Sequence, residues 1–400
     1  MIVMAVVLAV TACTPATESK APADNSGNAA EQPAASNEQA APSEKLVHSN
    51  ADDFDYIEGP GTVFDINTYY KNVGIDCDVT LLSTGGTVRV PDHMTSPMPQ
   101  AKEAYTVGFS VYYTVDEYGA ILLESMKDAA VASGINLLVH DANYDQNAQN
   151  QAVEQWILAG VDGVIVAPCD FTGVKGTLDE LQDAGIPYVT FNPPLAGATY
   201  AVQSCDFIEQ GRIAGEMLRD AIIAEGKDMN GVVVYQNLPF VHPNAATRWD
   251  GFNSVFKEFP DVEIIELTGI SPEEHYVAFE GAMSAYPDML GAWALYDSAA
   301  VGMMNAKKAA NRNDIILSAI DPDQQILKGI YEGDIVGTVC FSPIGQAYWT
   351  MSQLVNLMHG VDIPAMVYLP NRKVTTENVA EAFEYYHPGK TLQGYLDGKY

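Results

Sequence analysis

Basic residues are scarce in this chain of 400 residues. Lysine and arginine together number 20, against 52 aspartates and glutamates, which gives a formal net charge of -32 at pH 7. Proteins that bind nucleic acids need clustered basic side chains to neutralise phosphates, and polybasic segments attract proteins to anionic lipid headgroups. We therefore expect neither nucleic acid nor an electrostatically bound membrane surface as a partner, and we attribute the acidity to solubility.

Cysteine is also rare, and its copies are widely separated: Cys13, Cys77, Cys169, Cys205 and Cys340. No pair has the short spacing of a metal site. Cys169 and Cys340 lie at or beside predicted strand ends, where a cysteine usually acts as a small buried hydrophobe. The spacing indicates no disulfide framework, so any pairing stays open.

Motifs of common catalytic sites are missing as well. The chain has no HExxH zinc-binding pattern, no Walker phosphate-binding loop and no GxSxG nucleophile elbow. Asp141-x-Asn143-x-Asp145 begins like a calcium loop, but Gln146 stands where the turn needs glycine and Ala152 where the bidentate glutamate belongs. We expect no metal, no cofactor and no enzymatic activity.

The chain begins with an apolar run over residues 2–10. This run is too short to cross a bilayer as a helix and has the length of a signal-peptide core. The letters VTAC, ending at Cys13, resemble a bacterial lipobox, whose cysteine is diacylated and becomes the new N-terminus. We predict a lipoprotein signal peptide over residues 1–13 and lipidation at Cys13, which anchors the exported protein to the cell membrane. An ordinary secretory signal is the alternative, and no Lys or Arg precedes the apolar run.

The next two segments differ in composition. Residues 14–50 contain mainly Ala, Pro, Ser, Asn, Glu and Gln with almost no large apolar side chain, so we predict a disordered tether. Residues 51–103 are expected to form an N-terminal extension that packs on the main body. Within it, residues 80–90 predict a small hairpin that turns at Gly85-Gly86.

From Thr106 onward, apolar strands alternate with amphipathic helices. Predicted strands such as residues 163–167 (GVIVA) are apolar throughout, and predicted helices of ten or more residues separate them. This pattern is typical of βαβ units whose parallel sheet is buried on both faces. The alternation pauses after Phe191 and restarts near Glu209. It predicts an α/β fold of two doubly wound, Rossmann-like parallel-sheet lobes with a ligand cleft between them.

Several short motifs occur in an order that is typical of one family. They are Asp141-Ala-Asn-Tyr-Asp145, Ala159-Gly-Val-Asp-Gly-Val-Ile165, Ala184-Gly-Ile-Pro187, Ile213-Ala-Gly-Glu216, Arg248-Trp-Asp-Gly-Phe252 and Lys373-Val-Thr-Thr-Glu-Asn-Val379. With them, residues 106–376 resemble the type I periplasmic binding proteins, above all the ribose-binding and similar sugar-binding proteins of ABC importers. The likeness covers about two-thirds of the chain.

The resemblance implies a monomer that closes two lobes over a small solute and delivers it to the permease of an ABC importer. Three crossovers join the lobes of such proteins, and here they fall near Asp206, Phe341 and Leu369, where they act as the hinge. The implied boundaries are residues 104–206 plus 342–368 for the N-terminal lobe and residues 207–341 plus 369–400 for the C-terminal lobe.

Two other classes of protein share this fold. A sensory protein that presents its solute to a membrane chemoreceptor or sensor kinase is the alternative function, and only its partner distinguishes it. A LacI-type regulator would need a basic helix-turn-helix at the N-terminus, where this chain has an apolar signal and an acidic tether.

Ligand contacts in the sugar-binding relatives come from loops at the carboxyl ends of strands. Carried over by position, the candidate ligand-binding residues are Tyr112, Asp116, Tyr118, Asp170, Asn192, Arg248, Tyr296, Asp297, Asp321 and Phe341. Two of them have a structural alternative, since Asp321 can cap the following turn or helix and Arg248 can serve packing between elements.

Departures from the family pattern predict the kind of solute. Ribose-type binders have an Asp-Arg pair after the fourth strand, where this chain has Asn192-Pro193. Ala246 replaces an arginine that anchors hydroxyls, Tyr296 replaces an asparagine and Phe341 replaces a hinge glutamine. The cleft thus has fewer cationic donors and more aromatic faces. This favours a neutral or cationic ring-bearing solute, a sugar or polyol, over an anion.

Overall fold

The computed structural model describes residues 47–59, 67, 71, 79–191, 196–200, 202–239 and 243–400. The predictions made for the signal peptide, for Cys13, for residues 14–46 of the tether and for Asn192 lie outside these ranges. Within them, Cys169, Cys205 and Cys340 are free thiols. None of the helices in the described ranges combines the length and the apolar composition that a membrane span requires.

The first sheet collects the apolar strands of the N-terminal half. Its described strands, in spatial order, are β1 (Asp55–Glu58), β3 (Thr87–Arg89), β15 (Met366–Leu369), β9 (Val202–Cys205), β7 (Tyr188–Phe191), β6 (Gly163–Val166), β4 (Thr106–Val111) and β5 (Asn136–Asp141). Neighbouring strands are parallel except for β1 and β3. Every residue of β6 and β7 is buried, as in strands that are covered on both faces.

The second sheet repeats this architecture. Its described strands, in spatial order, are β11 (Val262–Thr268), β10 (Gly231–Asn237), β12 (Gly291–Ala294), β13 (Ile316–Ile320), β14 (Gly337–Cys340) and β16 (Arg372–Val374). The first five are parallel, and β16 runs antiparallel to β14. On one face the buried rings of Phe252 and Trp293 stack with their centroids 4.2 Å apart.

Helices connect the strands, and local sequence determines where many of them begin and end. The described helices are α1 (Glu117–Ser133), α2 (Gln146–Ala159), α3 (Lys175–Asp183), α4 (Phe207–Ala224), α5 (Pro243–Phe256), α6 (Pro272–Ala285), α7 (Asp297–Ala309), α8 (Gln324–Glu332), α9 (Pro343–Met358), α10 (Val379–Tyr386) and α11 (Leu392–Leu396). Asp145, for example, caps α2 by accepting hydrogen bonds from the N–H groups of Asn147 and Ala148, and Gly160 ends it in the left-handed conformation.

The chain passes between the two sheets three times. It leaves the first sheet after Cys205, returns after Cys340 and leaves again after Leu369. Near these crossings the buried side chains of Cys205, Phe207, Phe341 and Leu369 belong to one apolar cluster. We call the parts built on the two sheets the first lobe and the second lobe. The prediction of an α/β fold with two parallel-sheet lobes is confirmed.

The N-terminal extension adds to the edge of the first sheet. β3 pairs with β15, and the indole N–H of Trp349 donates a hydrogen bond of 2.8 Å to the carbonyl of Pro91. Arg372, at the start of β16, lies 3.7 Å from the carboxylate of Asp92. The extension therefore contacts elements of both lobes beside the crossovers.

The hairpin predicted at Gly85-Gly86 is wrong. β2 (Val79–Leu81) pairs in parallel with β8 (Gly197–Thr199) in a separate two-stranded sheet, whereas β3 joins the first sheet. A Cβ atom at Gly85 would lie 2.2 Å from the carbonyl oxygen of Ile363, and the hydroxyl of Ser83 donates to that same carbonyl. Contacts with the chain before β15 therefore replace the local pairing that the turn residues favour.

Candidate ligand-binding cleft

A cavity of about 870 Å³, part of it open to solvent, lies where the carboxyl ends of strands from both sheets meet. Its main lining residues are Tyr112, Asp116, Tyr118, Tyr144 and Phe171 from the first lobe and Asn244, Arg248, Tyr296, Asp297 and Asp321 from the second. Phe341, at a crossover, completes the wall. An adjoining space of about 1540 Å³ shares part of this lining and is also bordered by Glu117 and Asp323.

The cavity brings together eight of the ten predicted ligand-binding residues: Tyr112, Asp116, Tyr118, Arg248, Tyr296, Asp297, Asp321 and Phe341. Asn192 lies outside the described residues. Asp170 is exposed and lies outside the lining, because its Oδ1 accepts hydrogen bonds from the N–H groups of Thr172 and Gly173 at 2.8 and 2.7 Å. These bonds hold the pKa of Asp170 below its usual value. Asp170 thus closes its own turn after β6.

A helix cap and contacts between tyrosine rings hold most of the first-lobe wall. Asp116 caps α1 by accepting a hydrogen bond of 2.6 Å from the N–H of Gly119. Tyr144 has a positive φ of 59° and stacks on Tyr113 with ring centroids 4.9 Å apart. The ring of Tyr112 lies 5.7 Å from that of Tyr144. The wall therefore presents a carboxylate beside a group of tyrosine rings.

Tyr118 connects this wall to the crossovers. Its hydroxyl donates a hydrogen bond to Oε1 of Gln346 on α9, and its ring centroid lies 5.7 Å from that of Phe341. Phe341 in turn makes an edge contact with Phe207 at 6.2 Å. Because its hydroxyl hydrogen is engaged, Tyr118 offers the cavity mainly its ring.

Arg248 is a buried cation in the second-lobe wall, with 6% of its surface exposed. Its Nε donates to Oε1 of Gln210 at 2.6 Å, and its Nη1 donates to the carbonyl of Leu295 at 3.1 Å. The guanidinium carbon lies 5.0 Å from the centre of the Phe207 ring, and Nη2 lies 3.8 Å from Oδ1 of Asp321. Arg248 therefore borders the cavity and also ties α4, α5 and the loop after β12 together.

Tyr296 is held by a buried histidine that was not predicted from the sequence. Its hydroxyl lies 2.5 Å from Nε2 of His275 and 2.9 Å from the carbonyl oxygen of Gly269. The side-chain amide N–H of Gln236 donates a hydrogen bond to the main-chain carbonyl of His275. In this orientation the side-chain oxygen of Gln236 lies 3.0 Å from Nδ1 of His275 and accepts a hydrogen bond from that nitrogen. Burial lowers the pKa of His275 to about 4. The ring of His275 is therefore neutral, and its Nε2 shares a hydrogen bond with the Tyr296 hydroxyl.

A model of the periplasmic binding protein domain matches residues 107–361. The chain belongs to the periplasmic binding protein family. It is similar to the putative rhizopine-binding protein of Rhizobium meliloti, with 25% identity over 292 residues, 70% of this chain and 93% of that protein. The xylitol-binding protein of Mycolicibacterium smegmatis is 25% identical over 283 residues, which are 69% of this chain and 78% of that protein.

A solved structure has the same two-lobed fold. It is the periplasmic binding protein component of the arabinose ABC transporter from Shewanella sp. ANA-3, bound to alpha and beta-L-arabinofuranose. The TM-score is 0.64 at 26% identity, over 74% of this chain and 98% of that chain. The resemblance to type I periplasmic binding proteins is thus confirmed, and the N-terminal extension lies ahead of the family match.

The cavity of this periplasmic binding protein also has lining residues that were not predicted from the sequence, among them Tyr144, Phe171 and Asn244. Tyr144 lies in the loop after β5, and the rule that such loops border the cleft was the available signal. Asn244 lies in the first turn of α5, where its side-chain Oδ1 is buried and accepts no hydrogen bond from the described residues. No sequence signal separates this asparagine from one that lies in an ordinary helix turn.

The acids of the cavity have raised pKa values. Burial, together with repulsion from Asp321 and Asp323, raises the pKa of Asp116 to about 6. Burial and repulsion from neighbouring carboxylates raise the pKa of Asp297 well above its usual value. The pKa of Asp321 is also raised, because burial outweighs the opposing effect of Arg248. Ionised carboxylates are therefore costly in this periplasmic binding protein unless positive charge or hydrogen-bond donors reach them.

Asp321 does not cap the helix that follows it. Asp323 is the cap of α8 and accepts a hydrogen bond of 2.7 Å from the N–H of Gln325. Asp321 instead has a φ of 76°, and its main chain bonds to the carbonyl of Val339 and to the hydroxyl of Thr338. The helix-capping alternative is wrong, and Asp321 lies in the cavity wall of this periplasmic binding protein.

Proposed function

We propose that the chain is the extracytoplasmic solute-binding protein of an ABC importer and that its cavity takes a sugar or polyol. The observation that carries the proposal is the cavity, which strand ends of both lobes form together and which aromatic rings and carboxylates line. Ring faces suit the apolar face of a sugar, and carboxylates accept hydrogen bonds from hydroxyls. The protein has no catalytic role in this proposal, because it releases its solute unchanged to a permease.

The names of the similar proteins support this function, because each name gives the solute that the protein binds. They are described as binding rhizopine, xylitol and, in a solved structure from an arabinose ABC transporter, arabinofuranose. The match to a periplasmic binding protein domain supports a location outside the cytoplasm. Xylitol is a polyol and arabinofuranose is a sugar, and this is the solute class that the chemistry of the cavity suits.

A screen for stabilising solutes tests the proposal. Thermal unfolding is measured with sugars, polyols, nucleosides and amines, and binding is then confirmed by calorimetry. A solute at a hundred times its Kd stabilises the folded protein by about 2.7 kcal/mol. Tyr118→Ala and Asp321→Ala should each weaken binding about tenfold, because each removes a side chain that lines the cavity.

The controls for this screen are Tyr331→Ala and Asp183→Ala, whose side chains are exposed and outside the cavity. Both should bind like the wild type. A screen in which no sugar or polyol stabilises the protein contradicts the solute class. Wild-type affinity in both cavity variants contradicts the site.

We further propose that Cys13 is lipidated and that residues 14–46 tether the folded part to the membrane. The apolar run over residues 2–10 and the lipobox-like letters VTAC support this. The last four residues predicted for this tether, 47–50, belong to the folded part instead, because Asn50 is buried and accepts a hydrogen bond from the hydroxyl of Ser352 on α9. In a bacterium fed labelled palmitate, the wild type should carry the label and enter the detergent phase, and Cys13→Ser should do neither. A Cys13→Ser variant that stays equally membrane-bound contradicts the anchor.

A further inference from the structure

Part of the N-terminal extension belongs to the core at the crossovers. Val88 and Val90 are buried, with at most 4% of their surfaces exposed. Their side chains belong to the same apolar cluster as Phe207 and Phe341, which lie beside two of the crossovers. The main-chain N–H of Val90 also donates a hydrogen bond of 2.9 Å to the carbonyl of Tyr368, close to the end of β15. The extension, which the family match does not include, therefore packs where the chain passes between the lobes.

The main chain of the next two residues lies against the first lobe. The carbonyl of Pro91 accepts a hydrogen bond of 2.8 Å from the indole N–H of Trp349 on α9. A Cβ atom at Gly345, in the first turn of α9, would lie 2.2 Å from the carbonyl oxygen of Asp92. Only a glycine at this position allows so close an approach. The extension is thus fixed to α9 by its main chain.

The side chains of the same loop contact the second lobe. The carboxylate of Asp92, which is buried, lies 3.7 Å from Nη2 of Arg372 at the start of β16. The guanidinium carbon of Arg372 lies 4.2 Å from the centre of the Tyr385 ring on α10. The ring centroid of His93 lies 4.8 Å from that of Tyr385. One short loop therefore joins α9 of the first lobe to β16 and α10 of the second.

Contacts of this kind oppose movement between the lobes. Because α9 and α10 belong to different lobes, a rotation about the crossovers shifts one helix against the other, and a loop held by both cannot follow both. Separating Arg372 from Asp92 leaves a carboxylate that is poorly solvated without its cationic partner. Burial already raises the pKa of Asp92, although Arg372 opposes this effect. A rotation that breaks the contact is therefore costly.

We propose that residues 88–93, which we call the hinge strap, limit the rotation of the two lobes against each other. The strap adds a noncovalent connection to the three crossovers of the chain. A restrained hinge keeps the two walls of the cavity near one relative position before a solute binds, which lowers the cost of ordering them. The inference goes beyond the proposed function and does not depend on which solute the cavity takes.

Pulsed electron–electron double resonance tests the inference with no solute present. Nitroxide labels are introduced as unnatural amino acids at Leu158, near the end of α2 in the first lobe, and at Val277 on α6 in the second lobe. Both side chains are exposed, at 81% and 66%, and neither lines the cavity. In the wild type the distances between the two labels should form one narrow distribution.

Charge variants break the contact between the strap and the second lobe. Asp92→Asn and Arg372→Gln should each make the distribution about twofold broader, because relative positions of the lobes that the strap excludes become populated. The double variant should be no broader than the single ones, since both remove the same contact. Arg312→Gln is the matched control and should keep the wild-type width, because Arg312 pairs with Asp314 inside the second lobe, at 2.8 Å.

His93→Ala provides a variant that opens no buried site, because the side chain of His93 is exposed. It removes the ring contact with Tyr385 and should broaden the distribution less than Asp92→Asn does. Circular dichroism shows which variants are folded. If a charge variant does not fold, His93→Ala decides the question, and an unchanged width in that variant overturns the inference.

Two further results overturn the inference. Charge variants that lose stability in urea but keep the wild-type width would show that the extension only completes the core. A wild-type distribution as broad as those of the variants would show that the strap restrains nothing. Both results leave the proposed function standing, because the labels report the positions of the lobes and not the binding of a solute.

Discussion

The two walls of the cavity are held in place in different ways. On the first-lobe wall, Asp116 bonds to Gly119 three residues later, and Tyr144 stacks on a tyrosine of the neighbouring loop. On the second-lobe wall, Arg248 bonds to Gln210, 38 residues away, and Tyr296 bonds to His275, 21 residues away. The first wall is built largely from a helix cap and ring contacts, and the second from hydrogen bonds among buried polar side chains.

This difference predicts how each wall responds to mutation. The partners of the second wall are core residues, since His275 and Gln236 are completely buried. Removing one member of a buried polar network leaves the others without partners, so its effect spreads through the lobe. A capping residue at a helix end has few hydrogen-bond partners that its removal would leave unsatisfied. We therefore expect large effects on stability from the second wall and small ones from the first.

The largest effect is expected from Arg248→Ala. The substitution leaves Gln210, the carbonyl of Leu295 and the carboxylate of Asp321 without their cationic partner, which should cost about 3–5 kcal/mol of the free energy of unfolding. Urea denaturation followed by circular dichroism measures it. Arg212→Ala is the matched control, because Arg212 pairs with Glu216 on the surface of α4 and should cost at most about 0.5 kcal/mol. If the two variants lost similar amounts of unfolding free energy, the buried network around Arg248 would be no more important for stability than a surface ion pair.

A smaller effect is expected at the histidine behind Tyr296. His275→Ala should cost about 2 kcal/mol and Tyr296→Phe about 1 kcal/mol, because each leaves a buried polar atom without its partner. The loss in the double variant should be smaller than the sum of the single losses by about 0.5–1 kcal/mol, since both remove the same hydrogen bond. Thermal and urea unfolding of the wild type, the two single variants and the double variant complete this double-mutant cycle. Strictly additive losses would mean that the two side chains act independently.

The smallest effect concerns the first wall and depends on pH. Burial raises the pKa of Asp116 from its usual value near 3.8 to about 6, so the folded state holds this proton more tightly than the unfolded state. The wild type should therefore gain stability relative to Asp116→Asn as the pH falls from about 6 to about 4, by roughly 1 kcal/mol after solvent screening.

Free energies of unfolding at pH 7, 6, 5 and 4 test this dependence. Asp183→Asn, which makes the same change of net charge at an exposed site outside the cavity, is the control. A difference between wild type and Asp116→Asn that is flat with pH, or that changes in the opposite direction, would show that Asp116 is well solvated. Burial of the ionised Asp116 carboxylate in the first wall would then cost no measurable stability.

Two predicted site residues test the rule that residues in the loops after the carboxyl ends of strands border the cleft. Asp116 and Asp170 both follow strands of the first sheet, and the rule selected both. Asp116 lines the cavity, whereas Asp170 turns its carboxylate to the N–H groups of its own loop. Position along a strand determines which edge of the sheet a residue occupies. The hydrogen bonds nearest to its side chain decide whether it faces a solute.

His275 shows what the sequence could not reveal about the site. It lies on α6, after a different strand from Tyr296, and reaches the tyrosine only because two glycines leave room for it. A Cβ atom at Gly302 would lie 2.8 Å from the Cβ of His275, and one at Gly269 would lie 2.8 Å from its Nδ1. Such a fit depends on how helices and loops pack, and no periodicity along the chain encodes it.

The sequence by itself determined the alternation of strands and helices, several helix ends and the two-lobed class of fold. These follow from interactions within a few residues, as when Asp145 begins α2 and Gly160 ends it. Tertiary structure decided that β3 pairs with β15, where Thr87 lies opposite Met366, rather than with β2. It also decided the ionisation of Asp116 and the bonds of Arg248. The physical reason is that pairing at a sheet edge and desolvation of a charge depend on which distant surfaces meet, and a local pattern carries no information about them.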